Sequence, residues 1–269
     1  MAEQADRLAS FNGAKNYALY YGPGREGDLA QFDLAIVEPA GQSQSSLRAM
    51  QLSGTLVLAY LSVMEVPPWD PVLSILRPED FLSQGGRPLC NQAFGNYLAD
   101  LRSSRWAGLL LHRAGSLLDR WGYDGLFLDT IGDVEDPGLP GGLADSLLLA
   151  AAELVGGIRK LFPGRILVQN NGLERLCLLT AEMINGLCWE NPPLADQSCR
   201  PWSGSIITRL ESLKKKHGLK IMLLVEDGET SEPSCGTNCL LSGRLAVEKG
   251  FLFYRAYRGY TGGVYCLKR

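Results

Sequence analysis

The chain has 269 residues, 46% of them hydrophobic, which is ample for one sizeable core and closest in size to a single α/β barrel of about 250 residues. With 26 basic residues against 29 acidic, the net charge of -3 leaves no electrostatic footprint for nucleic acid, so none is expected as a partner. No stretch is apolar for long enough to span a membrane. Residues 1–15 carry acids, lack a signal-peptide core and read as a loosely ordered segment. The chain as given is therefore expected to be soluble, monomeric and cytoplasmic, or exported if a leader has been removed.

The first strand is predicted at 17–21 (Tyr-Ala-Leu-Tyr-Tyr) and the second at 32–38, and the connection between them is too short for an ordinary crossover helix. A helical pattern at 42–51 leads to a strand at 55–62. Helices are expected at 92–103 and 106–121, the latter from the stripe Trp106, Leu109, Leu110, Arg113, Leu117, Leu118, Trp121, stopped by Gly122. A strand at 124–129 is followed by an amphipathic helix at 142–162, a strand at 166–170, a helix at 173–182 and a strand at 184–190. A helix at 203–217, a strand at 220–226, a helix at 239–249 and a strand at 250–254 complete the chain. The run Lys214-Lys215-Lys216 suits the negative end of its helix. Eight uniformly apolar strands alternating with helices predict a (β/α)8 TIM barrel, one domain over residues 1–269 with an irregular first β–β connection.

Five of these strands stop on, or just short of, a carboxylate: Glu38, Glu65, Asp129, Glu190 and Glu226. Any one of them is as readily a helix cap or an ion-pair partner. Together, in a parallel barrel, they converge on the face formed by the strands' carboxyl ends, where burial without a partner would cost several kcal/mol each. Paired acids there are the equipment for cleaving glycosidic bonds, and Asp129 and Glu190, each closing a deeply apolar run, form the best catalytic pair. Tyr20, Tyr21, Tyr60, Trp69, Trp189 and Tyr254 fall at or near strand ends as candidate sugar-stacking platforms, although such aromatics are more often core. Asn170 and Asn171 offer amides to hydroxyls. Glu38, Glu65 and Glu226 are expected to bind substrate or tune the pair.

Rival readings are a non-catalytic carbohydrate-binding barrel and a nucleotide-dependent oxidoreductase. The second rests on Gly22-Pro-Gly24-Arg-Glu-Gly27, which fits G-x-G-x-x-G after a strand but leaves no room for the phosphate-binding helix. There is no G-x-S-x-G elbow, and only His112 and His217 exist, so neither a serine triad nor a metal site is expected, and no cofactor. Seven cysteines are too few for a disulfide scaffold. Local bridges Cys188–Cys199 and Cys235–Cys239 are the candidate pairings.

The segments Leu58-Ala-Tyr60-Leu-Ser-Val-Met-Glu65, Tyr123-Asp-Gly-Leu-Phe-Leu-Asp129, Leu167-Val-Gln-Asn170-Asn-Gly172 and Asn185-Gly-Leu-Cys-Trp-Glu190 resemble glycoside hydrolase family 114, typified by endo-α-1,4-polygalactosaminidases. The resemblance implies a barrel that hydrolyses an α-linked polysaccharide containing galactosamine, with Asp129 and Glu190 as the catalytic pair. By analogy with retaining α-glycosidases that carry acids on strands four and six, Asp129 would be the nucleophile and Glu190 the acid/base. The chain departs from the family's usual pattern at Glu38, where aspartate is common, and at Val63-Met64 before Glu65.

Overall fold

Strands buried on both faces need continuous apolar sequence, and the eight apolar runs form one all-parallel sheet in chain order. In the computed structural model, which describes residues 2–140, 142–228 and 236–265, these are β1 (Tyr17–Tyr20), β2 (Leu34–Val37), β3 (Leu56–Ser62), β4 (Gly125–Asp129), β5 (Ile166–Asn170), β6 (Gly186–Glu190), β7 (Lys220–Glu226) and β8 (Leu252–Ala256). The ring closes where β8 returns beside β1. There the Tyr17 and Tyr254 rings pack at 5.7 Å and the Tyr21 N–H donates to the Tyr260 carbonyl at 2.9 Å. The result is the (β/α)8 barrel that the sequence predicts.

Helices cover the outside: α3 (Gln44–Leu52), α4 (Ser104–Gly115), α5 (Ala144–Leu161), α6 (Leu176–Thr180), α7 (Arg200–His217) and α8 (Thr237–Lys249). Ser43 and Ser103 cap α3 and α4 by accepting from the Ser46 and Trp106 N–H groups at 3.0 and 3.2 Å. Between β1 and β2 there is only one helical turn, α2 (Glu26–Leu29). Gly22 lies beneath the Tyr20 ring, and a side chain at Gly41 would stand 2.8 Å from the Gly22 carbonyl. The Gly-rich segment thus packs backbone against backbone and lacks the long helix of a dinucleotide site. None of the described helices is long and apolar enough to cross a membrane.

Three expectations are corrected. The segment expected to be loosely ordered contains a helix: Ala2–Gly13 form α1, which covers the barrel's lower end. Phe11 is fully buried there, and the space over Gly186 is filled by its ring. Arg7 reaches Asp124 at 3.2 Å, and Lys220 Nζ donates to the carbonyls of Asn12 and Ala14 at 3.0 and 2.9 Å. The helix expected at 92–103 is instead part of the long loop after β3, where Glu65–Val66 pair antiparallel with Tyr97–Leu98. Gly95 there takes a left-handed φ of 70°, and the helix begins only after the Ser103 cap. Cys188 and Cys199 are free thiols, Cys188 inside the barrel and Cys199 at the start of α7, so they form no bridge. Cys239 is disulfide-bonded, and Cys235, the partner suggested by the sequence, lies outside the described residues.

Since Phe11 fills the lower end of the core, Phe11→Ala is expected to cost about 3–5 kcal/mol, read as a lower urea midpoint at unchanged m-value. An unchanged midpoint would show that α1 is not part of the cooperative core.

Candidate active site

The upper rim is built by one repeated device. Asp129, Asn170 and Glu190 are the last residues of β4, β5 and β6, and the next residue in each case, Thr130, Asn171 or Asn191, turns into the left-handed region with φ of 57°, 55° and 48°. Each then uses its side-chain oxygen to hold a neighbouring strand's backbone. Thr130 Oγ1 accepts from the N–H groups of Val63 and Met64 at 3.0 and 2.8 Å. Asn171 Oδ1 accepts from Glu190 N–H at 3.0 Å, and Asn191 Oδ1 from Glu226 N–H at 2.8 Å. Asparagine tolerates this conformation readily, whereas a β-branched threonine pays a steric cost that its capping of three N–H groups, Glu65 at 3.3 Å being the third, offsets. The strands therefore end at fixed heights, with their terminal side chains facing one cavity.

In that cavity Asn170 Nδ2 donates to Asp129 Oδ1 and to Glu190 Oε2, both at 2.6 Å. Tyr60 donates to Asp129, and the Tyr260 hydroxyl donates to Glu190 Oε1. Tyr21 lies between these two tyrosines, its ring 4.8 Å from Tyr60 and 5.2 Å from Tyr260. Burial, reinforced by the Asp129 charge, pushes Glu190 up to about 7. Burial also raises Asp129, but Asn170, Tyr60 and the Thr130 N–H oppose it by stabilising the carboxylate. Both acids are thus raised, and Glu190, which also feels the Asp129 charge, is the one that holds a proton near neutrality.

Of the remaining sequence-predicted residues, several line the same cleft. Glu65 is buried and accepts from Asn96 Nδ2 at 2.7 Å and from Asn91 Nδ2, which ties the long β3 loop to the cavity. Glu38 is raised by burial and caps the turn Pro39–Gly41 through the Ala40 N–H at 3.2 Å. Trp69, 77% exposed, stands with Glu38, Phe94 and Arg113 around an outer chamber of about 780 Å³ that adjoins the inner cavity of about 430 Å³. Glu226 lies at the rim, accepting from Gly259 N–H at 3.1 Å.

Three predicted residues are elsewhere. Tyr20 is buried over Gly22, and Tyr21 takes the place in the cavity. Trp189, 2% exposed, packs outward on Trp202 of α7 at 5.9 Å between ring centroids, because neighbours along a strand face opposite sides and Glu190 faces in. Tyr254 is core, packed on Tyr17 and Phe32 at 5.7 and 6.0 Å. Tyr260, Thr130, Asp133, Asn91 and Asn96 join the site without having been singled out. Of these, only Thr130 carried a local signal, its place immediately after a strand-ending acid.

Comparison of the sequence with protein-family models and with curated proteins yields no match. Among solved structures the chain is similar to the glycoside hydrolase domain of PelA from Pseudomonas aeruginosa, at 22% identity and TM-score 0.74, over 92% of this chain and 96% of that one. It is also similar to Aspergillus fumigatus Ega3, whose structure is a complex with galactosamine, at 14% identity and TM-score 0.64, over 91% of each chain. The Thermus thermophilus α-galactosidase TtGalA matches at 16% identity and TM-score 0.60, over 89% of this chain and 57% of its own. What these likenesses establish is a shared barrel fold.

Because Asp129 helps to raise Glu190, Asp129→Asn should lower the Glu190 titration from about 7 towards the ordinary carboxylate range, followed by the pH dependence of labelled glutamate signals in NMR. The sign for stability follows. Glu190 is raised above 4.5, so its contribution is full below about pH 4.5 and is lost as pH rises through about 7. Wild type should lose stability over that window and Asp129→Asn should lose less; equal losses would uncouple the two groups.

Proposed function

We propose that the protein is a glycoside hydrolase acting on an α-linked glycan rich in amino sugar, of the galactosamine type, by a retaining two-carboxylate mechanism. The observation that carries this reading is the single amide shared by two acids: contacts of 2.6 Å on both sides limit Asp129 Oδ1 and Glu190 Oε2 to at most about 5.2 Å apart. For that pair of oxygens the ceiling favours the short carboxyl spacing of a nucleophile and an acid/base, about 5–5.5 Å, over the about 6.5–9.5 Å that admits a water between acid and base.

The steps follow from the two environments. Glu190, protonated near neutrality, gives its proton to the glycosidic oxygen as the Asp129 carboxylate, stabilised by Asn170 and Tyr60, attacks the anomeric carbon and forms a glycosyl ester. Glu190, now a carboxylate, takes a proton from water, which attacks the same carbon and releases Asp129. Tyr260 and Asn170 orient Glu190 throughout. Support for an amino sugar comes from the inner cavity, lined by Glu65, Asp129, Asp133 and Glu190 and by no lysine or arginine among the described residues. The galactosamine bound to Ega3 agrees with it.

Incubation with α-1,4-galactosaminan should release oligosaccharides. Glu190→Gln should lose about 10²–10⁴ in rate on the glycan, yet far less on a substrate whose leaving group needs no proton, whereas Asp129→Asn should be silent on both. Binding of glycan without cleavage by the wild type would instead identify a carbohydrate-binding barrel.

A further inference from the structure

The inner cavity holds unused hydrogen-bonding capacity of one kind. Asn96 Oδ1, Asp133 Oδ2 and Asn170 Oδ1 are buried without a partner, and all three side chains line it. The amides cannot be turned to relieve this, since Asn96 Nδ2 is committed to Glu65 and Asn170 Nδ2 to both catalytic acids. The two vacant amide oxygens are acceptors, and Asp133 Oδ2 becomes one when its carboxyl is ionised. Each buried acceptor without a donor costs about 1–3 kcal/mol, a penalty that a bound donor removes.

Asp133 stands out because the two-carboxylate reaction has no task for it and because its position is built in. It sits in the turn Ile131–Glu135, anchored by buried Ile131 and Val134. A side chain at Gly132 would stand 2.6 Å from the Gly172 backbone nitrogen, so this turn is pressed against the loop that follows β5. Glu135 pins the same loop by accepting from the N–H groups of Glu174, Arg175 and Leu176 at 2.9, 2.6 and 2.7 Å. The Asp133 carboxyl thus cannot swing out to solvent without dismantling this contact.

We propose that Asp133 is the specificity-determining residue of the cavity: its carboxylate, which lines the cavity, receives the ammonium group of an amino sugar and so selects the free amine over the N-acetylated or neutral hexose. The inference rests on the glycosidase reading above. An ammonium brings three donors and a positive charge to a wall of acceptors, whereas an acetamide brings one donor, an acceptor oxygen and a methyl group. Burial and the carboxylates of Glu65, Asp129, Asp136 and Glu190 push Asp133 up to about 8, so at neutral pH it carries a proton that an arriving cation displaces.

The test compares wild type, Asp133→Asn and Asp133→Glu on an α-1,4-galactosamine oligomer, its N-acetylated form and the neutral α-galactose oligomer. Wild type should favour the free amine. Asp133→Asn should lose at least about tenfold in kcat/KM on the amine, mainly through KM, and lose several-fold less on the neutral oligomer; Asp133→Glu should keep the preference for the amine. An unchanged urea midpoint reports that the variant is folded. An unchanged preference in Asp133→Asn, or an equal loss on all three oligomers, overturns the role of Asp133 while leaving the hydrolase reading intact. Cleavage by wild type of neutral oligomers alone would overturn both Asp133's role and the amino-sugar assignment, and cleavage of none of the three would overturn the enzymatic reading with them.

Discussion

The site depends on one amide. Asn170 stands at the end of β5, between the strands that end in Asp129 and Glu190, and its two N–H bonds hold the two carboxylates at equal distances of 2.6 Å. Without that donor the barrel would place two acids in one buried cavity with their charges unshared, an arrangement whose desolvation and repulsion both work against folding. With it, the repulsion is spread over a network in which Tyr60 and Tyr260 supply further donors from β3 and from the segment after β8. The geometry of the pair is thereby set by backbone positions, since every strand involved ends in a side-chain cap on its neighbour.

The same network separates the two acids chemically. Both are raised by burial and by a neighbouring carboxylate, Asp129 by Glu65 and Glu190 by Asp129, while three hydrogen bonds oppose the rise at Asp129 and two, from Tyr260 and Asn170, oppose it at Glu190. A rigid lower core makes such a costly rim tolerable: α1 closes the barrel's lower end with Phe11, and the long β3 loop is anchored by the buried Trp106, whose Nε1 donates to the Val63 carbonyl at 2.8 Å.

Much of this was legible in the sequence. Continuous apolar runs cannot be anything but buried, so all eight strands fell within about two residues of their places, and an acid at the end of such a run has few physical reasons to be there. Asp129, Glu190, Asn170 and Glu65 were found on that logic. Of the aromatics, Tyr21, Tyr60 and Trp69 line the cleft but Tyr20, Trp189 and Tyr254 do not, because proximity along a strand is not proximity in space: Trp189 and Tyr20 each adjoin a cavity residue and for that reason face away from it. The segment 92–103 has apolar residues at helical spacing, but Asn91 and Asn96 are drawn to Glu65, a tertiary contact that no local pattern announces. Tyr260 and Asp133 reach the cavity from irregular segments, where sequence carries no periodicity to read.

In the proposed mechanism Asp129 and Glu190 flank one glycosidic bond as nucleophile and acid/base. The measurement that tests it most directly is the anomeric form of the first product, followed by proton NMR during cleavage of an α-1,4-galactosamine oligomer before mutarotation intervenes. The α-anomer should appear first, with the β-anomer growing in only later. Initial release of the β-anomer would contradict the bridged-carboxylate mechanism, because inversion requires a water between acids that the shared amide holds too close together.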